Sequence, residues 1–264
     1  MTFKSENGMK TNYEIFGDNK NPAMLLLHGL GAELSSWSEQ IDLYPEAGFF
    51  VVVPDLYGHG ESSKMDTLEL DHWNKQINDL LDYLEIQTCI IIGVSMGGVV
   101  AQYYTVKNLQ RVNILIISDS FAELKSIKEK LLGFSQIVGF KIYKVLGRKL
   151  FAKGMAAAYK PSFAEKARKY MYEKSLVADF NQLLFARKVI NKIDIVQDLG
   201  QVKIPSLIIV GNQFGPMFVG INKKIADAIE GSKFVVLDNS MDPSPLVNPK
   251  DFNNEVLSFL VNYE

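Results

Sequence analysis

Cysteine and histidine are the scarce residues of this 264-residue chain. With one cysteine, Cys89, it can form neither an intrachain disulfide nor a thiolate metal cluster. That usage suits a reducing compartment, and the cytoplasm is the expected location. The apolar runs are short, FFVVVP and CIIIGV among the longest, well below the ~20 residues that cross a bilayer as a helix. The first residues, MTFKSENGMK, lack the basic start and apolar stretch of a signal peptide. There is no excess of positive charge either. Lys and Arg number 28 against 30 Asp and Glu, a net charge of -2, which argues against a nucleic-acid binder. No Gly-x-Gly-x-x-Gly occurs, and no His/carboxylate cluster has metal-ligand spacing. No cofactor and no metal are therefore expected.

The chain does hold regularly spaced short apolar runs. A hairpin opens it, turning at Asn7-Gly8 into a strand through Tyr13 and Ile15. The runs AMLLLH (23–28), FFVVVP (49–54), CIIIGV (89–94), NILIIS (113–118), SLIIVG (206–211) and KFVVLD (233–238) follow. Continuous Val/Ile/Leu runs of this length mark strands buried on both faces, as in a parallel sheet. Helix-length amphipathic segments separate most of them. Residues 66–85 carry Leu70, Trp73, Ile77, Leu80 and Leu81 at helical spacing, and 250–263 carry Phe252, Val256, Phe259 and Leu260. The alternation predicts a mainly parallel α/β sheet.

Residues 121–200 break this rhythm with helical patterns alone. They read as a helical insertion between two core segments, 1–120 and 201–264. The insertion has 16 Lys and Arg against 7 Asp and Glu, so it is +9, while the remainder has 12 against 23 and is -11. Such a basic cap could draw anions or a membrane surface, or simply present solvated helix faces. Its aromatics Phe134, Phe140, Tyr143, Phe151, Tyr159 and Phe163 are expected mostly in its own core, with one or two lining a cavity.

The most informative motif is Gly93-Val94-Ser95-Met96-Gly97, set between a buried strand and the helical run VVAQYYTV. A strand-to-helix turn that projects a serine hydroxyl needs small residues on both sides. Three other motifs agree in order and spacing: His28-Gly29-Leu30-Gly31 after the third strand, Pro54-Asp55-Leu56-Tyr57-Gly58-His59-Gly60-Glu61-Ser62 after the fourth, and Pro205-Ser206-Leu207-Ile208-Ile209-Val210-Gly211. With these four, the sequence resembles the α/β-hydrolase fold family of serine esterases and lipases with a helical lid, over essentially its whole length. The resemblance implies an eight-stranded, mainly parallel sheet. It also implies Ser95 as nucleophile, the backbone N–H groups of Leu30 and Met96 as oxyanion donors, and a histidine–acid pair to activate the serine.

The chain departs from the family where that pair belongs. Phe214 stands where the acid is usual, in Gly211-Asn212-Gln213-Phe214. Asp242 stands where the histidine is usual, with Met241 in place of the glycine before it, and no histidine follows His72. Asp119, at the end of the sixth strand, is an alternative acid or the N-cap of the first helix of the insertion. By resemblance neither His28 nor His59 is the base; His59 is expected to hydrogen-bond within its loop and His72 to be solvated. Because the scaffold motifs are intact and the departures cluster at triad positions, deliberate remodelling, by design or selection, explains the pattern better than undirected loss.

Losing a triad histidine costs roughly 10⁶-fold in turnover, so ordinary ester turnover is expected to be nearly absent. Asp242 could face an apolar pocket formed by Phe214, Phe218, Met241, Trp37 and Phe121, where desolvation would make it a stronger base; or it could cap a turn. Trp37 could equally be core. Three readings stay open. One is a remodelled site with Asp242 as base for proton abstraction and Ser95 as donor or weak nucleophile. Another is a non-catalytic pocket that binds a small molecule. The last is a serine esterase with an unrecognised base. The expected partner in each is a small apolar or aromatic molecule; the sequence does not give an oligomeric state.

Overall fold

A computed structural model describes residues 1–263. Eight strands, β1 (Thr2–Lys4), β2 (Lys10–Phe16), β3 (Ala23–Leu27), β4 (Phe50–Pro54), β5 (Cys89–Val94), β6 (Val112–Ser118), β7 (Ser206–Gly211) and β8 (Lys233–Leu237), form one sheet in the order β1-β2-β4-β3-β5-β6-β7-β8. The opening hairpin is antiparallel and β2 pairs antiparallel with β4; every later pairing is parallel. The helices are α1 (Leu43–Glu46), α2 (Leu70–Tyr83), α3 (Met96–Lys107), α4 (Ile127–Leu146), α5 (Arg148–Ala158), α6 (Glu165–Val177), α7 (Phe180–Ile190), α8 (Pro216–Ala228), α9 (Ser244–Val247) and α10 (Pro249–Leu260). Among the described residues no helix is long and apolar enough to cross a membrane.

The apolar runs have a physical cause in the two covered faces of the sheet. Successive side chains point to opposite faces. Leu25, Leu27, Ile91, Leu115 and Ile117 enter the core beneath α2, α3 and α8. Met24, Leu26, Ile90, Ile92 and Ile116 enter the other, with Trp37, Tyr44 and Phe252. Both alternating sets must be apolar, so period-2 patterning vanishes. The strands β3, β5, β6 and β7 run parallel, which brings the segments after Leu27, Val94, Ser118 and Gly211 to one edge. Open parallel sheets hold ligands at such an edge.

Helices α4–α7 lie between β6 and β7. An antiparallel bridge between Glu123 and Asp194 joins the two ends of this insertion, supported by the bond from Ile195 N–H to Ala122 O. Its positive surplus is partly paired across the seam: Lys166 pairs with Glu39 and Lys174 with Glu33. Phe140 and Phe151 pack with Phe180, Leu183 and Leu184. Phe134 does not join them. It is 59% exposed, in a stripe with Ile127, Leu131, Val138, Ile142 and Val145 on the outer side of α4, because Gly133 and Phe140 occupy the inner side.

Two further expectations change. Asp119 does not cap the insertion's first helix, since α4 starts later and is capped by Ser126, whose hydroxyl accepts from Glu129 N–H while Glu129 returns a bond to Ser126 N–H. His72 does more than sit in solvent: its Nδ1 accepts from Glu69 N–H at the start of α2.

The turn from β5 to α3 tolerates almost no added volume. A Cβ at Gly97 would collide with the Leu27 carbonyl, and one at Gly93 with the Gly97 carbonyl. Gly139, inside α4, has open space around it. Gly97→Ala is therefore expected to lower unfolding free energy by about 3 kcal/mol. Gly139→Ala should raise it by about 0.5 kcal/mol through helix propensity. Urea denaturation of the two variants checks the opposite signs.

Candidate active site

Ser95 occupies the turn itself with φ +55°, a strained region for a residue with a Cβ. Three bonds hold it there. Its N–H donates to Ser118 O at 2.9 Å, its carbonyl accepts from Val99 N–H, and it also accepts from Ser120 Oγ at 2.8 Å. The side chain is thereby lifted into a cavity of about 420 Å³, lined by Ser95, Gly29 and Leu30 among others. Gly29 lies so close that a Cβ there would sit 3.3 Å from Ser95 Cβ. Met96 is the first residue of α3, so its N–H has no acceptor inside the helix and adds to the positive end of the helix dipole.

The Ser95 hydroxyl donates to Asp242 Oδ2 at 2.7 Å. Asp242 lies in the loop between β8 and α9, and its backbone carbonyl accepts from Tyr159 OH of the insertion at 3.0 Å. Asp242 is half-buried and lines the same cavity as Ser95. Burial pushes its pKa up to about 8, the nearby Asp119 carboxylate adds to the rise, and the Ser95 hydrogen bond and the Arg187 charge oppose it.

Asp119 lies just beyond β6 with φ +52°. Its Oδ1 accepts from Gly211 N–H at 2.9 Å; its Oδ2 accepts from Ser244 N–H and Ser118 Oγ, each at 2.8 Å. It ties the end of β7 to the start of α9, and so anchors the loop that carries Asp242. Burial raises its pKa while these bonds work to lower it.

Of the aromatic residues anticipated at the pocket, Trp37, Phe121, Phe214 and Phe218 line the cavity. Phe214 is 43% exposed and meets the Phe218 ring edge-on at 5.5 Å. Met241 does not line it. It packs with Tyr159, Met171 and Leu246, and since Tyr159 and Met171 themselves face the cavity, Met241 sits one layer behind the wall.

None of the three histidines lines the cavity. His28 Nε2 accepts from Leu56 N–H at 3.0 Å and its Nδ1 meets Gly29 O at 2.9 Å, so Nδ1 carries the proton. The His59 ring lies beside it, tilted by 60° with centroids 5.2 Å apart. Burial and the His28 ring drive the His59 pKa down to about 3.

Sequence reading missed Arg187 on α7. It is 6% exposed, lines the cavity, and has its guanidinium 5.5 Å over the Phe121 ring. Burial lowers its pKa to about 10, so it remains a cation at neutral pH. A signal was present: Leu183, Arg187 and Ile190 follow helical spacing on one buried face of α7, which sets an arginine in an apolar stripe.

The chain matches the model of the alpha/beta hydrolase fold family over residues 22–249 and belongs to that family. A curated relative, 3-oxoadipate enol-lactonase 2 of Acinetobacter baylyi, is 27% identical over 252 residues, covering 93% of this chain and 91% of that protein. Among solved structures, bromoperoxidase from Bacillus anthracis superposes with TM-score 0.87 at 24% identity, covering 98% of this chain and 99% of that one. The enol-lactonase from Burkholderia xenovorans LB400 gives 0.84 at 21%, covering 97% and 98%. The protein is thus an α/β-hydrolase similar to enol-lactonases, esterases and a bromoperoxidase.

The Asp242 shift has a consequence for folding. Its folded-state pKa lies above the unfolded one, so the folded chain holds an extra proton between the ordinary carboxylate range near 4 and about 8. Stability should therefore fall as pH rises through that window, by about 1.4 kcal/mol for each pH unit in which the difference is complete. Asp242→Asn removes this contribution. Its thermal midpoint relative to the parent is expected to climb from pH 5 to pH 9, which differential scanning fluorimetry measures.

Proposed function

We propose that this α/β-hydrolase acts on small apolar carbonyl compounds, most directly carboxylic esters or lactones, with Asp242 exchanging protons with Ser95 in the place where the family uses an imidazole. The 2.7 Å bond from Ser95 Oγ to Asp242 Oδ2 carries this reading. A hydroxyl is a weak nucleophile until a base takes its proton, and a carboxyl group with a pKa near 8 is basic enough to compete for it.

In the proposed cycle ionised Asp242 accepts the Ser95 proton as Oγ bonds to the acyl carbon. The oxygen that becomes negative is met by the N–H groups of Leu30 and Met96. Collapse breaks the bond to the leaving alkoxide, which takes the proton from Asp242. Water then attacks the acyl-serine, giving a proton to Asp242, and Ser95 regains its proton as the acid departs. Asp119 orients the loop through Gly211 and Ser244.

A second reading is proton abstraction from a substrate carbon. It is favoured by Asp242 Oδ1, which has no hydrogen-bond partner among the described residues, and by the perpendicular Phe214–Phe218 pair beside it in the same cavity wall.

Hydrolysis of a short activated ester is expected to rise through about pH 8 and level off above it, because only ionised Asp242 accepts a proton. Asp242→Asn and Ser95→Ala should each lower it by at least ~10³-fold. A rate that persists in Ser95→Ala but vanishes in Asp242→Asn would favour carbon-proton abstraction instead. A rate independent of both residues would sink both readings.

A separate comparison tests Asp119. If it can orient an imidazole at position 242, Asp242→His alone should raise ester turnover by orders of magnitude and shift the pH dependence toward the ordinary histidine range. If the acid must come from position 214, the gain should appear only when Phe214→Asp is added.

A further inference from the structure

We infer that the cavity binds a small carboxylate, with the Arg187 guanidinium as its counter-ion. Arg187 is 94% withdrawn from solvent at the cavity wall. A buried cation is costly unless a hydrogen-bonded anion compensates it. Among the described residues no carboxylate forms a salt bridge with Arg187, and its Nε is enclosed without any acceptor. Asp119 uses both oxygens on Gly211, Ser244 and Ser118, and Asp242, which accepts from Ser95 through Oδ2, feels the Arg187 charge without forming an ion pair with it. The Phe121 ring supplies only the weaker attraction of a π face.

The chemistry of the vacancy specifies the ligand further. A guanidinium offers two parallel donors that match the two oxygens of a planar carboxylate. A single negative charge cancels that of Arg187. A phosphate dianion would bring one charge too many beside Asp119 and Asp242. The rest of the wall is largely aromatic and aliphatic, with Trp37, Phe140 and Ile221, so the body of the ligand is apolar. With a volume of about 420 Å³, the site admits a molecule of roughly one ring and a short chain. Combined with the proposed function, on which this last step rests, the substrate is a carboxylic ester or lactone that also carries a free carboxylate: one end meets Ser95, the other Arg187.

Binding can be read without turnover. Phenylacetate has the carboxylate and the apolar body but no ester, and phenylacetamide is its neutral counterpart. Calorimetric titration of the full chain at pH 7 is expected to show phenylacetate bound at least tenfold more tightly than the amide. In Arg187→Met, which keeps the length and apolar stem of the side chain, the preference should disappear, and in Arg187→Lys part of it should return. Circular dichroism verifies that each variant is folded. Equal binding of the two compounds by the parent, a preference that survives Arg187→Met, or no saturable binding of phenylacetate would each overturn the inference. Since no ester is involved, phenylacetate binding in a chain that hydrolyses nothing would leave the carboxylate site standing while removing the proposed reaction.

Discussion

The chain must leave β5, reverse direction and enter α3 within a few residues, and everything at the active edge depends on how it does so. Ser95 accepts the strained φ of +55° because its backbone is bonded to β6 and to the residue after Asp119. Gly93, Gly97 and Gly98 make the turn sterically possible: added Cβ atoms would meet backbone at the first two positions and the Ser120 side chain at the third. The same crowding presses Gly29 against Ser95 and brings the loop after β3 to that serine. A position held so tightly lets one hydroxyl point at one partner.

That partner is a carboxyl group, and its surroundings change what a carboxyl group does. In water an aspartate is a poor base at neutral pH. Enclosed beside Asp119, Asp242 titrates near 8, closer to an imidazole than to an ordinary acid. Arg187 and the Ser95 hydroxyl limit the rise. In the proposed reaction, burial stands in, in part, for the chemical identity of an imidazole. It does not substitute for geometry, since a carboxylate cannot relay a second hydrogen bond through a ring as His-to-acid pairs do.

Much of this was legible in the residues. Cys89–Val94 and Ser206–Gly211 are strands at the bounds their apolar runs mark, because a strand buried on both faces announces itself by composition. The elbow was equally plain, since its glycines answer a steric demand at fixed spacing. Helix starts were less visible: α2 begins at Leu70 rather than near residue 66, where Glu69 and His72 close the first turn by side-chain bonds that periodicity does not encode. The loop after β8 was hardest. Asp242 and Met241 are neighbours in sequence, yet one meets Ser95 and the other packs behind Tyr159. Arg187 escaped notice because a basic residue in a basic segment looks solvated, and only its register with Leu183 and Ile190 marks it as inward.

Three ionisable groups share the interior of this site, and their signs set up an opposition. Arg187 is a fixed cation, and burial raises the Asp119 pKa while its backbone and hydroxyl donors oppose that rise. Asp242 changes state near neutrality. When Asp242 loses its proton the interior gains one negative charge. An arriving anion and a charged Asp242 therefore exclude one another to a degree, and each makes the other harder to form. A negatively charged guest would arrive most readily while Asp242 holds its proton, and once seated would tighten the hold of that carboxyl group on it.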